Sequence, residues 1–178
     1  MKLRRLICLA TLVPALAVFA AACEEDSPTG PSGNPNQVRF TAQLSPANEV
    51  PPVTNAEASG IGTAAITLDV TRDAGGTITG ATATFQIALS GFPAGTPMNI
   101  AHIHEGGPTC ACPVVVNTGL AAGQVVLTNG AGSFTRDSVN VSAANAQGIV
   151  NNTAGYYFNI HSTLNPGGVA RGQLVKVS

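Results

Sequence analysis

The chain holds three histidines, and two of them stand one residue apart in NIAHIHEGGP, Asn99 to Pro108. On a strand, successive side chains point to opposite faces, so His102 and His104 share one face with Ile100, while Ala101 and Ile103 take the other. Imidazole is the commonest protein metal ligand, suits zinc and copper, and at i and i+2 can present two nitrogens to one ion. The third histidine, His161, ends another strand-like run, FNIH. If the two strands are neighbours, His102, His104 and His161 converge on copper or zinc, with Glu105 as a further oxygen ligand. The alternative is structural: imidazoles hydrogen-bonded to backbone or to a carboxylate at a polar strand end.

Two cysteines follow in PTCACP. A C-x-C disulfide between Cys110 and Cys112 closes a very small ring and demands an unusual backbone, which a loop can supply. Outside the cytoplasm, oxidation to that disulfide is the ordinary outcome. The other reading is that the two soft thiolates join His102 or His104 around Cu(I). Arg171, in GGVARGQL, is a lone positive charge among small residues. It is either an anion guide near the histidines or the buried partner of Glu49 or another carboxylate. Asn48 to Pro52, NEVPP, reads as a rigid loop, since paired prolines fix the backbone and remove donors. Nothing resembles a nucleophile elbow, a phosphate loop or a serine triad, so hydrolase chemistry has no support.

The elements that must position these residues are strands. From Val38, VRFTAQL alternates Val38, Phe40, Ala42 and Leu44 against Arg39, Thr41 and Gln43, the period of a half-buried strand. Ile66, Leu68 and Val70 alternate in AAITLDV; the turn signal RDAGG follows, then Ile78 and the series Ala81, Ala83, Phe85, Ile87, Leu89. These two runs read as a hairpin. Shorter candidates are 99–104, 113–117, 123–128, 132–137, 155–162 and 168–177. One helix is expected, Ser142 to Asn151, with Ser142 as its N-cap. Strands at about ten-residue spacing, separated by Gly, Pro and Asn turns, predict an all-β antiparallel sandwich or barrel with at most one short helix.

The first 22 residues read as something other than fold. MKLRR is a basic leader and Leu6 to Ala20 an apolar run followed by small residues, as in a secretory signal. Ala20-Ala21-Ala22-Cys23 resembles the lipobox of bacterial lipoproteins, with Ala20 where lipoboxes usually carry leucine. That resemblance implies cleavage before Cys23, lipidation of Cys23, and an extracytoplasmic protein anchored to the cell membrane or outer membrane. An ordinary A-x-A site releasing a soluble protein is the alternative. Residues 23–37 read as a flexible tether, acidic at first and then rich in Pro, Gly, Ser and Asn, and 38–178 as the domain. Removing Lys2, Arg4 and Arg5 from the eight basic residues leaves five against nine acidic ones, a formal charge of about −4. With no basic patch and almost no aromatic platform, nucleic acid is excluded as a partner. The expected partners are the membrane, through the lipid, and an envelope protein or ligand that the residues do not name.

Four stretches, in order, carry a family resemblance: FTAQLSPANEVPP (40–52), AHIHEGGP (101–108), FNIHSTLNPGG (158–168) and ARGQL (170–174). Together they resemble the CHRD domain, the module repeated in chordin and found singly in many bacterial secreted proteins. The resemblance implies an immunoglobulin-like Greek-key fold distantly similar to copper–zinc superoxide dismutases. In that comparison AHIHE is similar to the copper-binding strand, His161 to a later copper ligand, and Arg171 to the arginine that guides substrate. The remaining dismutase ligands are missing, because three histidines cannot supply a fourth copper ligand, a bridge and a zinc site. The C-x-C pair also lies outside the family pattern. The function expected is therefore a non-enzymatic binding or structural module of the cell envelope with a histidine metal site. The alternatives are a copper-dependent redox enzyme of dismutase type and a periplasmic copper carrier.

Overall fold

A computed structural model describes residues 34–177. The signal-like leader, Cys23 and the tether up to Gly33 lie outside the described residues. The end of the segment read as a tether is already tied down: the Gln37 amide donates to the Asn34 carbonyl at 2.8 Å. The first strand starts at Gln37.

Among the described residues there are ten strands, one α-helix and two short 3-10 turns: β1 Gln37–Leu44, β2 Ile61–Arg72, β3 Ile78–Ser90, β4 Thr96–Glu105, β5 Val114–Asn117, β6 Val125–Leu127, β7 Gly132–Val141, α1 Ala143–Asn151, β8 Tyr156–Ser162, β9 Ala170–Gln173 and β10 Val175–Lys176, with the 3-10 turns at Pro46–Asn48 and Thr153–Gly155. One sheet has the order β10-β1-β2-β3-β7, and the other β5-β4-β8-β9, with β6 also on β4. Every pairing is antiparallel. The sheets remain open, so the architecture is a sandwich and not a barrel.

The period-two pattern decides which side chains meet between the sheets. Val38, Phe40, Ala42 and Leu44 of β1, Ala64, Ile66, Leu68 and Val70 of β2, and Ala83, Phe85, Ile87 and Leu89 of β3 are all buried. Facing them are Ala101 and Ile103 of β4 and Phe158 and Ile160 of β8. The rings of Phe85 and Phe158 lie 6.0 Å apart across the sandwich. Each large apolar side chain so buried contributes roughly 1.5 to 3 kcal/mol before conformational entropy is counted. Helix α1 is capped as expected, the Asn145 amide donating to Ser142 Oγ at 3.2 Å, and it buries Ala146 and Ile149.

The stretch 168–177, read as one strand, is two. β9 pairs with β8, the chain then changes sheets at Leu174, and β10 pairs with the outer edge of β1. At this corner the strands nearly touch. Ser45 bridges Arg171, and a Cβ on Gly172 would collide with the Gln43 carbonyl. Only glycine permits so close an approach of two backbones.

The two sheets differ on their outer faces. On the first, Arg39, Ala65, Asp69, Thr82 and Gln86 face solvent. On the second, β8 is buried at all seven positions. Its core-facing residues alternate with Tyr157, Asn159 and His161, which lie beneath loops contributed by 45–57, 106–113 and 162–168. A buried layer of polar side chains therefore sits outside the second sheet.

Candidate metal centre

β4 and β8 are neighbours, with His102 opposite Asn159 and His104 opposite Tyr157. His161 follows Asn159 by two residues and shares its face. It lies where the ladder is irregular between Met98 and Ala101, a strand distortion of the kind that re-aims side chains beside functional sites. The strands thus bring His102, His104 and His161 together. His102 is central: its ring centroid lies 5.6 Å from that of His104 and 5.2 Å from that of His161, edge-on to both. One ring nitrogen from each residue lies within 4.8 Å of the other two.

Hydrogen bonds set which nitrogens are free. His104 Nδ1 is 2.7 Å from the Cys112 carbonyl and His161 Nδ1 is 2.8 Å from the Pro166 carbonyl. A carbonyl only accepts, so each Nδ1 carries the proton and each Nε2 keeps a lone pair. Both Nε2 atoms and His102 Nδ1 are buried without a hydrogen-bond partner among the described residues. Orphaned buried polar atoms are rare and call for a reason. The rings are held in the neutral form that ligates metal. Burial lowers the His102 pKa to about 4, helped by repulsion from His161 and His104. Burial likewise lowers those of His104 and His161, against the opposing pull of their carbonyl partners.

The donor set fits copper or zinc. Nitrogens sharing one tetrahedral zinc stand roughly 3.3 Å apart, because each bond is about 2.0 Å. The three nitrogens here lie within 4.8 Å of one another, so a bound ion would have to draw the rings together. Metal-bound imidazoles characteristically give their other N–H to a carbonyl or carboxylate, as His104 and His161 do here with Cys112 and Pro166.

The remaining expected residues fall around this core. Glu105 is exposed and sits opposite Tyr156, on the other face of β4, so it is not a fourth ligand. The sulfurs of Cys110 and Cys112 are joined as a disulfide, with their Cα atoms 5.3 Å apart, and in this form they offer no thiolate to the histidines. Arg171 is 2% exposed, and its terminal nitrogens donate to the Cys110 carbonyl at 2.8 Å and to the Pro108 carbonyl. Its guanidinium lies 4.2 Å over the Tyr157 ring. No hydrogen bond or ion pair joins it to Glu49, the expected partner, among the described residues; the guanidinium clamps the 106–113 loop through backbone carbonyls and acts on Glu49 through its charge alone. Buried as it is, and with two of its N–H groups given to the loop, Arg171 presents almost no surface to guide an anion.

Glu49 instead accepts from Asn159 Nδ2 at 3.2 Å, while its other oxygen has no partner among the described residues. Burial raises its pKa to about 7, against the lowering effects of Arg171 and Asn159. It lines a cavity of about 380 Å³ with Arg171, Pro108, Val50, Pro52 and Gln173, a cavity that none of the three histidines lines.

Four supporting residues were not singled out from the sequence: Tyr157, Asn159, Glu57 and Pro166. Tyr157 and Asn159 had a signal, because YYFNIHS places them with His161 on one polar face of a strand whose other face is apolar. Glu57 had none. It is buried and accepts from Ser162 Oγ at 2.5 Å and from Asn165 Nδ2, so it ties down the loop that presents the Pro166 carbonyl to His161.

A family model for the CHRD domain matches residues 40–174. No curated protein and no solved structure matches the chain.

Proposed function

The chain belongs to the CHRD-domain family, and we propose that its domain is a non-enzymatic metal-binding module of the cell envelope. Copper or zinc would be held by His102 Nδ1, His104 Nε2 and His161 Nε2. The observation that carries this reading is that one ring nitrogen from each histidine lies within 4.8 Å of the other two, while one ring nitrogen of each is buried without a partner among the described residues. When bound, zinc or copper supplies a Lewis-acid centre, and copper also a one-electron couple. The protein's own part is to keep the imidazoles neutral, fix their tautomers through Cys112 and Pro166, and cover the face with loops.

A binding role is favoured over a dismutase-type redox enzyme because the histidines are only 7 to 8% exposed and the Arg171 terminal nitrogens are engaged by the loop. A copper carrier working through thiolates is disfavoured by the joined sulfurs. The envelope location rests on the basic leader, the apolar run and the lipobox-like AAAC, with Cys23 as the lipid attachment point.

Elemental analysis of the purified protein, loaded with copper or zinc and desalted, tests the centre. About one metal per chain is expected in the parent and none in His102→Ala/His104→Ala. A metal-free parent overturns the proposal. Superoxide turnover by the copper-loaded parent would replace it with the redox enzyme. Labelling with radioactive palmitate tests the anchor: incorporation that disappears in Cys23→Ser supports it, and its absence from the parent overturns it.

A further inference from the structure

We propose that the Cys110–Cys112 disulfide is a thiol–disulfide exchange site whose state sets the metal affinity of the histidine centre. The inference rests on the reading of His102, His104 and His161 as that centre. Its origin is the 106–113 loop, which touches the site through its backbone. The Cys112 carbonyl accepts from His104 Nδ1 at 2.7 Å. The Cys112 amide donates to the Tyr157 hydroxyl at 3.1 Å, and the Cys110 and Pro108 carbonyls accept from Arg171. One bridged residue therefore holds His104 through its carbonyl, and the other holds Arg171. Linking their side chains fixes one carbonyl relative to the other.

Packing under the bridge reinforces this coupling. A Cβ on Gly106 would stand 2.6 Å from Cys112 Sγ and 2.9 Å from Cys110 Sγ, so the disulfide rests directly on the Gly106 backbone. The Gly106 amide is anchored in turn to the Gly155 carbonyl at 2.7 Å, at the start of β8. The loop that carries the bridge lies at the surface: both cysteines are half-buried, and their neighbours Thr109, Ala111 and Pro113 are exposed.

The exchange partner is a dithiol, small or carried on another protein. Its thiolate attacks one of the two sulfurs, forming a mixed disulfide and expelling the other as a thiolate that takes a proton. The partner's second thiol then breaks the mixed disulfide. The protein gains two electrons and two protons, and the partner leaves oxidised to its own disulfide. Once reduced, the segment between Gly106 and Pro113 loses its shortest constraint. The Cys112 carbonyl then no longer selects the Nδ1–H tautomer of His104, and the pre-set Nε2 lone pair is lost for part of the population.

The test uses zinc, which adds no redox chemistry, with the full-length protein and a competing chelator. Loss of an outer-shell partner typically weakens metal binding roughly 10- to 100-fold, and a drop of that size is expected in Cys110→Ser/Cys112→Ser relative to the oxidised parent. Nitrogen NMR of the metal-free proteins gives a second readout: a single Nδ1–H tautomer of His104 in the parent and a mixture in the variant. Equal affinity together with an unchanged tautomer overturns the proposal. So does tighter binding by the phosphine-reduced parent, which would make the thiolates ligands, and so does a disulfide that survives excess dithiothreitol in the folded protein. If the parent binds no zinc, the metal reading fails, and the tautomer comparison still decides whether the bridge holds His104.

Discussion

His104 and Tyr157 stack with ring centroids 4.7 Å apart and planes 2° from parallel. They are register partners on adjacent strands, and the Arg171 guanidinium, from the strand on the other side of β8, also lies over the Tyr157 ring. One tyrosine thus joins a candidate ligand, a buried cation and, through its hydroxyl, the 106–113 loop. Tyr157→Phe keeps the stack but leaves the Cys112 amide without its acceptor, and should cost about 1 kcal/mol in denaturant unfolding. Tyr157→Ala removes the ring and should cost about 3 to 5 kcal/mol. If the two variants unfold alike, the ring carries none of the packing assigned to it.

Glu57 should matter to the centre without touching it. Glu57→Ala leaves the fully buried Ser162 hydroxyl without its acceptor and releases Asn165 from the loop that carries Pro166. A loss of about 1 to 3 kcal/mol in stability is expected. Metal affinity should fall at least severalfold, read by chelator competition, as the His161 tautomer loosens. Glu57→Gln retains an acceptor oxygen and should recover most of both.

Stability of the metal-free protein should respond to pH in two opposite ways. An unfolded imidazole protonates near 6.5, whereas folded His102 resists protonation until about pH 4. The unfolded state therefore binds more protons in that interval, and stability is lost as pH falls from about 6.5 to about 4. Glu49 has the reverse sign: its pKa rises from 4.5 to about 7 on folding, so its contribution is complete below 4.5 and is lost as pH rises through about 7. Thermal unfolding across this range should show that Glu49→Gln flattens the neutral side and His102→Phe part of the acid side. Unchanged pH profiles in both variants would contradict the assignment.

Metal should stabilise the domain by mass action. At free zinc about 1,000 times Kd, binding to the native state alone contributes about 4 kcal/mol. For a domain of this size that corresponds to a rise in Tm of roughly 8 to 16 °C. The rise should be abolished by a strong chelator and absent from His161→Ala, as scanning calorimetry would show.

Most of the fold was legible in the sequence, because the period of two that marks a strand is a local property. Val38 to Leu44, Ile66 to Val70 and Ala83 to Leu89 show on their own which face is buried, and Ser142 shows where the helix begins. The same alternation puts His102 and His104 on one side of their strand and Ala101 and Ile103 on the other. Where locality ends, so does legibility. The division of 168–177 into two strands depends on which sheet edge is open beside each half, and Gly172 reveals its purpose only once Gln43 lies against it.

What the tertiary structure alone decided is the company the histidines keep. The pairing of β4 with β8 joins residues more than fifty positions apart, and only the packed sandwich makes them neighbours. The partners that fix the site are largely backbone carbonyls, those of Cys112 and Pro166 for the imidazoles and those of Pro108 and Cys110 for Arg171. Every residue carries a carbonyl, so side-chain identity gives no sign of which one will be used. The sequence by itself determined the imidazole side chains and the face that His102 and His104 share. Folding decided that they converge, and that Arg171 closes a loop over them instead of meeting Glu49, because a buried cation takes whichever acceptors the chain path brings within reach.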